Sequence, residues 1–136
     1  MKKTFIVIVI FLLNLAITNA QDSEKVEKAA FLNETINISG IYNGEIEKSK
    51  LLISNGLTFG RSLDSMYRIA GFKMTLVIKG RDLLEFQNSK SSELTSFMIE
   101  AIKVAPIDSK IFFEYIRCVD KNGTSYSVNA TQFIIK

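Results

Sequence analysis

Six carboxylates stand in pairs that acid–base chemistry can use: Glu45 with Glu47, Asp82 with Glu85, and Glu93 with Glu100. Two carboxyl groups flanking a scissile bond suffice for glycoside hydrolysis without any histidine. Each pair sits among lysines and serines, however, the usual context of solvated surface charge. The chain has no histidine, which removes the commonest general base and the commonest metal ligand. Its one cysteine, Cys118, builds neither a zinc site nor an intramolecular disulfide. Set between Ile116 and Val119, that thiol reads as buried and inert. The seven glycines are scattered, with none of the spacing of a phosphate-binding loop. Asp120-Lys121-Asn122-Gly123 opens like a calcium loop but lacks the acidic ligands that would follow, and it reads as an Asn-Gly turn. No catalytic, metal-binding or cofactor-binding residue is assigned, and no cofactor is expected. The chain reads as a non-enzyme. A small hydrolase working through a carboxylate pair, or a carrier of a small apolar ligand among the ten phenylalanines, stays open as an alternative.

The N-terminus carries the strongest message about place. Lys2 and Lys3 precede a wholly apolar run from Phe5 to Leu13, and Thr18 and Ala20 supply small residues before the polar stretch that starts at Gln21. A basic start, a short apolar centre and a small-residue exit make a secretory signal peptide over residues 1–20, with cleavage expected after Ala20. A retained anchor needs about 20 apolar residues, and the run before Ala20 is interrupted by Asn14 and Asn19. The product is expected in the periplasm or outside the cell, with no membrane insertion after cleavage. Removing Lys2 and Lys3 takes the basic count from 17 to 15 against 14 acids, leaving a net charge of +1. Such balance provides no field for gripping nucleic acid. Four sequons occur, at Asn33, Asn37, Asn122 and Asn129; the Lys-Lys start looks bacterial, a setting in which they signify turn and strand chemistry.

The rest divides into a polar leader over 21–34 and a single domain over 35–136, long enough to bury about two thirds of its unfolded surface. Thr35 to Tyr42 alternates as a strand would. Glu45 to Thr58 is mixed, a short helix edge or a strand, and Gly60 to Met66 reads as a loop. In the clearest strand, Phe72, Met74, Leu76 and Ile78 face one way and Lys73, Thr75, Val77 and Lys79 the other, the pattern of a half-buried strand in an antiparallel sheet. Gly80 to Lys90 reads as turn and polar connection. One helix is expected over about 92–103, capped by Ser91 or Ser92, with Glu93 in its first turn and Leu94, Phe97, Met98, Ala101 and Ile102 as a core-facing stripe. Pro106 stops it. Ile111 to Val119, apolar on both faces, should pair with Ser125 to Ile135 across a type I′ turn at Asn122-Gly123. The fold class is mainly β, α+β: an antiparallel sandwich-like domain with one packed helix and a C-terminal hairpin.

The order of these pieces resembles one family. Gly40-Ile41-Tyr42-Asn43-Gly44-Glu45-Ile46-Glu47-Lys48-Ser49-Lys50-Leu51 is followed by Phe72-Lys73-Met74-Thr75, then by the helix with Leu94-Thr95 near its start. Ile111-Phe112-Phe113-Glu114-Tyr115-Ile116, the turn Asp120-Lys121-Asn122-Gly123-Thr124 and the ending Phe133-Ile134-Ile135-Lys136 complete it. Over roughly Gly40 to Lys136 this resembles the C-terminal domain of the GldM family, the periplasmic arm of the gliding-motility and type IX secretion machinery. Members of that family are much longer and carry a transmembrane helix, whereas here the domain stands alone behind a signal peptide. The resemblance implies a periplasmic protein-contact module with no catalytic residues, whose partners are proteins of the cell envelope. Strand addition at an exposed sheet edge is one physical means, and a homo-oligomer fits the same expectation.

Overall fold

The structure is a computed structural model that describes residues 30–60 and 63–136; the expected signal peptide and most of the expected leader lie outside these residues. The alternation of Phe72, Met74 and Leu76 with Lys73, Thr75 and Val77 is realised in the central strand β3 (Tyr67–Val77). Phe72, Met74 and Leu76 are buried to 2% exposure or less, while Lys73 and Val77 stay half-buried on the other side. Around β3 lie β1 (Ala30–Thr35), β2 (Gly44–Ile46), β4 (Leu83–Asn88), β5 (Lys110–Asp120), β6 (Ser125–Asn129) and β7 (Thr131–Ile135), with helices α1 (Lys48–Ile53) and α2 (Ser96–Val104). The domain is mainly β, as expected.

The seven strands join in one sheet, and it is mixed. β3 pairs antiparallel with β4 on one side and β5 on the other. β5 then divides its far edge. Ile116–Val119 pair antiparallel with β6, and Lys110–Phe113 pair antiparallel with β7. Each branch is extended by a parallel neighbour, β1 beside β6 and β2 beside β7. A mostly antiparallel sheet was expected, and among the described residues four of the six strand pairs are antiparallel; the two parallel pairs arise where β1 and β2, from the N-terminal half, dock on strands that run the same way. Ala30–Glu34, read as the end of a polar leader, are part of β1, where Leu32 packs partly against the core.

Three further local expectations are corrected. The segment read as a polar connection, 80–90, contains β4, held by six consecutive pairs with β3 from Phe72↔Asn88 to Val77↔Leu83. Its close approach needs Gly71, where an added Cβ would stand 2.8 Å from the Asn88 carbonyl oxygen. The helix expected from residue 92 begins at Ser96. Its cap is Thr95, whose hydroxyl accepts the Met98 N–H at 3.3 Å, while Ser91 is occupied by Asn88 and Glu93 in the preceding loop. Glu93 therefore precedes the helix, and α1 adds a second helix to the one expected.

Helix α2 buries Met98, Ala101 and Ile102, with Leu94 and Ala105 beside its ends, but Phe97 is 75% exposed. A residue turns about 100° around a helix axis, so Phe97 sits on the flank of the buried face and shares that flank with Val104, seven residues on. Helix α1 contributes Leu51 to the same core and a cap to its neighbour: Lys48 donates its ammonium to the carbonyls of Lys103 and Ala105 at the end of α2. A cation there complements the unpaired carbonyls of a helix C-terminus. Among the described residues no helix is long and apolar enough to cross a membrane.

The connection from β5 to β6 is tied by one carboxylate. Asp120 accepts the Asn122 N–H at 2.8 Å and the Thr124 N–H at 3.0 Å, and its carbonyl accepts the Gly123 N–H at 3.1 Å. Gly123 alone has positive φ, +80°; the expected type I′ turn would need it at Asn122 too. A three-residue loop closed by a left-handed glycine takes its place, because the Asp120 side chain stabilises the tighter first turn.

Candidate functional site

Both helices pack on the side of the sheet that bears Phe72, Met74, Leu76, Ile111 and Phe113, so the opposite face of β4, β3 and β5 is left uncovered by either helix. Register sets what lies there. Lys73 is flanked by Gln87 of β4 and Glu114 of β5, Thr75 by Glu85 and Phe112, and Val77 by Leu83 and Lys110. The result is an open groove of about 340 Å³ lined by Lys73, Thr75, Val77, Leu83, Glu85, Phe112, Glu114 and Tyr115. Val77, Leu83, Phe112 and Tyr115 give it apolar surface, and Lys73, Thr75, Glu85 and Glu114 polar and charged surface.

Tyr115 owes its place to a break in β5. Phe113 points into the core and Glu114 out; strict alternation would send Tyr115 inward. Instead Tyr115 takes φ +50° and stands 80% exposed, and Ile116 and Cys118 resume the inward positions. Residues on β3 from Gly71 to Lys73 face one more residue on β5, from Arg117 to Glu114, so an extra residue is inserted there. On the far edge, the same level is where β6 gives way to β7. Bulges of this kind re-aim a side chain next to functional surfaces. A left-handed conformation is costly for an aromatic residue, and such strain concentrates at binding sites.

The polar groups of the groove hold one another. Lys73 Nζ lies 2.6 Å from Glu85 Oε1 and 5.6 Å from the centre of the Tyr115 ring, and Thr75 Oγ1 donates to Glu114 Oε2 at 3.1 Å. The hydrogen bond with Glu85 raises the Lys73 pKa against the opposing effect of burial, and the charges of Glu85 and Glu114 add to the rise. Lys73 therefore carries a firm positive charge between two carboxylates on strands either side of it. This cluster escaped sequence reading because it unites three strands distant in the chain. No local signal marked Tyr115, because Ile111 to Val119 is apolar on both faces and the inserted residue leaves no trace in such a run.

The carboxylate pairs singled out by spacing are placed otherwise. Glu85 is engaged by Lys73, Glu45 lies 3.3 Å from Lys136, and Glu100 lies 2.9 Å from Lys103. Asp82 borders an open depression beside Ile78 and Leu84, and Glu47 is the residue before α1. Among the described residues no group of three or more potential metal ligands occurs. Cys118 is fully buried, and burial raises the pKa of its thiol, as expected for an inert cysteine. Of the sequons, Asn37 is buried and accepts the Gly40 N–H and the Thr58 hydroxyl, whereas Asn129 donates to Asn33.

Comparison of the chain with models of known protein families and with curated proteins gave no match.

Proposed function

We propose that this chain is an exported, non-catalytic protein-interaction module of the cell envelope, and that its partner docks on the uncovered face of β4, β3 and β5. The observation that carries the reading is Tyr115: an exposed aromatic held in a left-handed conformation beside a groove of mixed apolar and charged lining. Buried aromatic anchors dominate protein interfaces, with polar groups at their rim. Phe112 and Val77 offer apolar contact, and Glu85, Lys73 and Glu114 the means of fixing register.

The likeness of Gly40–Lys136 to a GldM C-terminal domain narrows the proposal to an accessory of a gliding or type IX secretion assembly. In this reading the forked sheet is sandwich-like, with β5, β6 and β7 acting as the C-terminal hairpin that closes the domain. Domain likeness transfers fold more safely than partner, so the test addresses the surface. Affinity capture from intact envelopes with the parent chain and with Tyr115→Ala should recover the same partner from the first and lose it from the second. Equal recovery with both chains would contradict the assignment of the face.

A further inference from the structure

We infer that β4 is the seam of a symmetric dimer, in which the β4 strands of two copies of this chain pair antiparallel and join their sheets. Among the described residues β4 has a neighbour on one side only: it ends the strand order, and no main-chain hydrogen bond from outside the sheet reaches Leu83–Asn88. Its outer row of N–H and C=O groups is therefore open. Soluble proteins blunt such edges with proline, lysine, bulges or very short strands. β4 has none of these. It runs six residues without a register shift, as Leu-Leu-Glu-Phe-Gln-Asn.

Its side chains also ask for a neighbour on both faces. On the core side, Leu84 is 39% exposed and Phe86 is only partly buried; on the groove side, Leu83 is 53% exposed. The strand that would cover them must itself carry apolar side chains, and β4 does, with Leu84 and Phe86 on the core face and Leu83 beside Glu85 and Gln87 on the groove face. A twofold contact is isologous, using the same patch on each copy, and antiparallel self-pairing of β4 satisfies that condition. Charge selects the register. Centred on Glu85, the pairing would set two carboxylates directly opposite each other, which is unfavourable. Centred on Phe86, it sets Phe86 against its own copy, Leu84 against Asn88, and Glu85 against Gln87. No like charges then meet, Glu85 keeps Lys73 at 2.6 Å, and the amide of Gln87 can donate to the facing carboxylate. The two grooves become continuous across the seam.

Sedimentation velocity of the exported chain over a range of concentrations tests this. A reversible dimer is expected, and Leu84→Lys, with an unchanged circular-dichroism spectrum, should sediment as a monomer. Phe97→Lys, on the exposed flank of α2, should remain dimeric. Register is read by cysteine pairing, since opposed strand residues have Cα separations within disulfide range. Oxidation of Phe86→Cys chains, which keep Glu85, should give a covalent dimer through the residue that faces its own copy, and Leu84→Cys chains, whose residue faces Asn88, should not cross-link with themselves. A monomer at every concentration, a dimer indifferent to Leu84→Lys, or cross-linking of Leu84→Cys with itself and not of Phe86→Cys would overturn the inference. It stands apart from the proposed function: a monomeric chain that still loses its partner through Tyr115→Ala would retain that function and lose the seam.

Discussion

The ammonium of Lys73 lies 5.6 Å from the centre of the Tyr115 ring, although the two residues sit on different strands and Tyr115 departs from strand alternation to be there. A left-handed conformation costs a residue with a Cβ about 1–2 kcal/mol, more than a solvent-reached cation over a ring returns. The contact alone does not explain the conformation. Tyr115→Gly should therefore fold at least as stably as Tyr115→Val, by a margin of about 1–2 kcal/mol. Chemical denaturation of the two variants measures the margin, and equal midpoints would mean that the backbone at 115 carries no strain.

On helix α2 the expected outcome runs against the spacing of its apolar residues. Phe97→Asp should change stability by no more than about 0.5 kcal/mol, as an exposed substitution does. Met98→Asp, at a position with no exposure, should cost about 3–5 kcal/mol through an unpaired buried charge. Thermal melting of both variants decides the matter, and a large loss from Phe97→Asp would place that ring in the core.

Gly123 closes the turn after β5 with φ +80° and has open space where a side chain would project. Conformation is then the only penalty. Gly123→Val should cost about 1–2 kcal/mol, and Gly123→Asn less, because asparagine visits the left-handed region more readily. Equal losses from valine and asparagine would point to a steric cause instead.

Acid should loosen the same turn. The Thr124 N–H, with those of Asn122 and Gly123 and the Tyr126 hydroxyl, holds the Asp120 carboxyl below its ordinary 3.8. Asp108 is held below that value chiefly by its hydrogen bond with Lys136. A carboxyl with a lowered folded-state pKa stabilises the fold above its unfolded value, and that contribution is lost as pH falls through the folded one. Stability should thus decline below about pH 4, and Asp120→Asn should shrink the decline. The denaturation midpoint followed from pH 6 to pH 2 checks this; an unchanged acid limb in Asp120→Asn would refute the role of the turn.

What was legible in the sequence was whatever a local period fixes. The part of β3 from Phe72 to Val77 was readable because the eight residues Phe72 to Lys79 alternate without interruption, whereas Tyr67–Gly71 was not read as strand; the burial of Met98, Ala101 and Ile102 followed from helical spacing. Phe97 misled because a stripe counted at i, i+3 and i+4 is wider than the face the sheet covers. β4 was hidden because Lys79, Arg81, Asp82 and Lys90 surround it with loop chemistry, and its strand state comes from pairing with β3, which no local pattern records. The groove was hidden for the same reason: Lys73, Glu85 and Tyr115 meet only through register, and the bulge that turns Tyr115 outward looks like an apolar run in one dimension.

Site-specific photo-cross-linking in intact cells tests the central claim most directly. A photoreactive residue at position 115 should form an adduct with one envelope protein, as should the same probe at Phe112, while the probe at Phe97 should give none. Adducts at 97 with none at 115 or 112 would contradict the assignment of the uncovered sheet face as the partner surface.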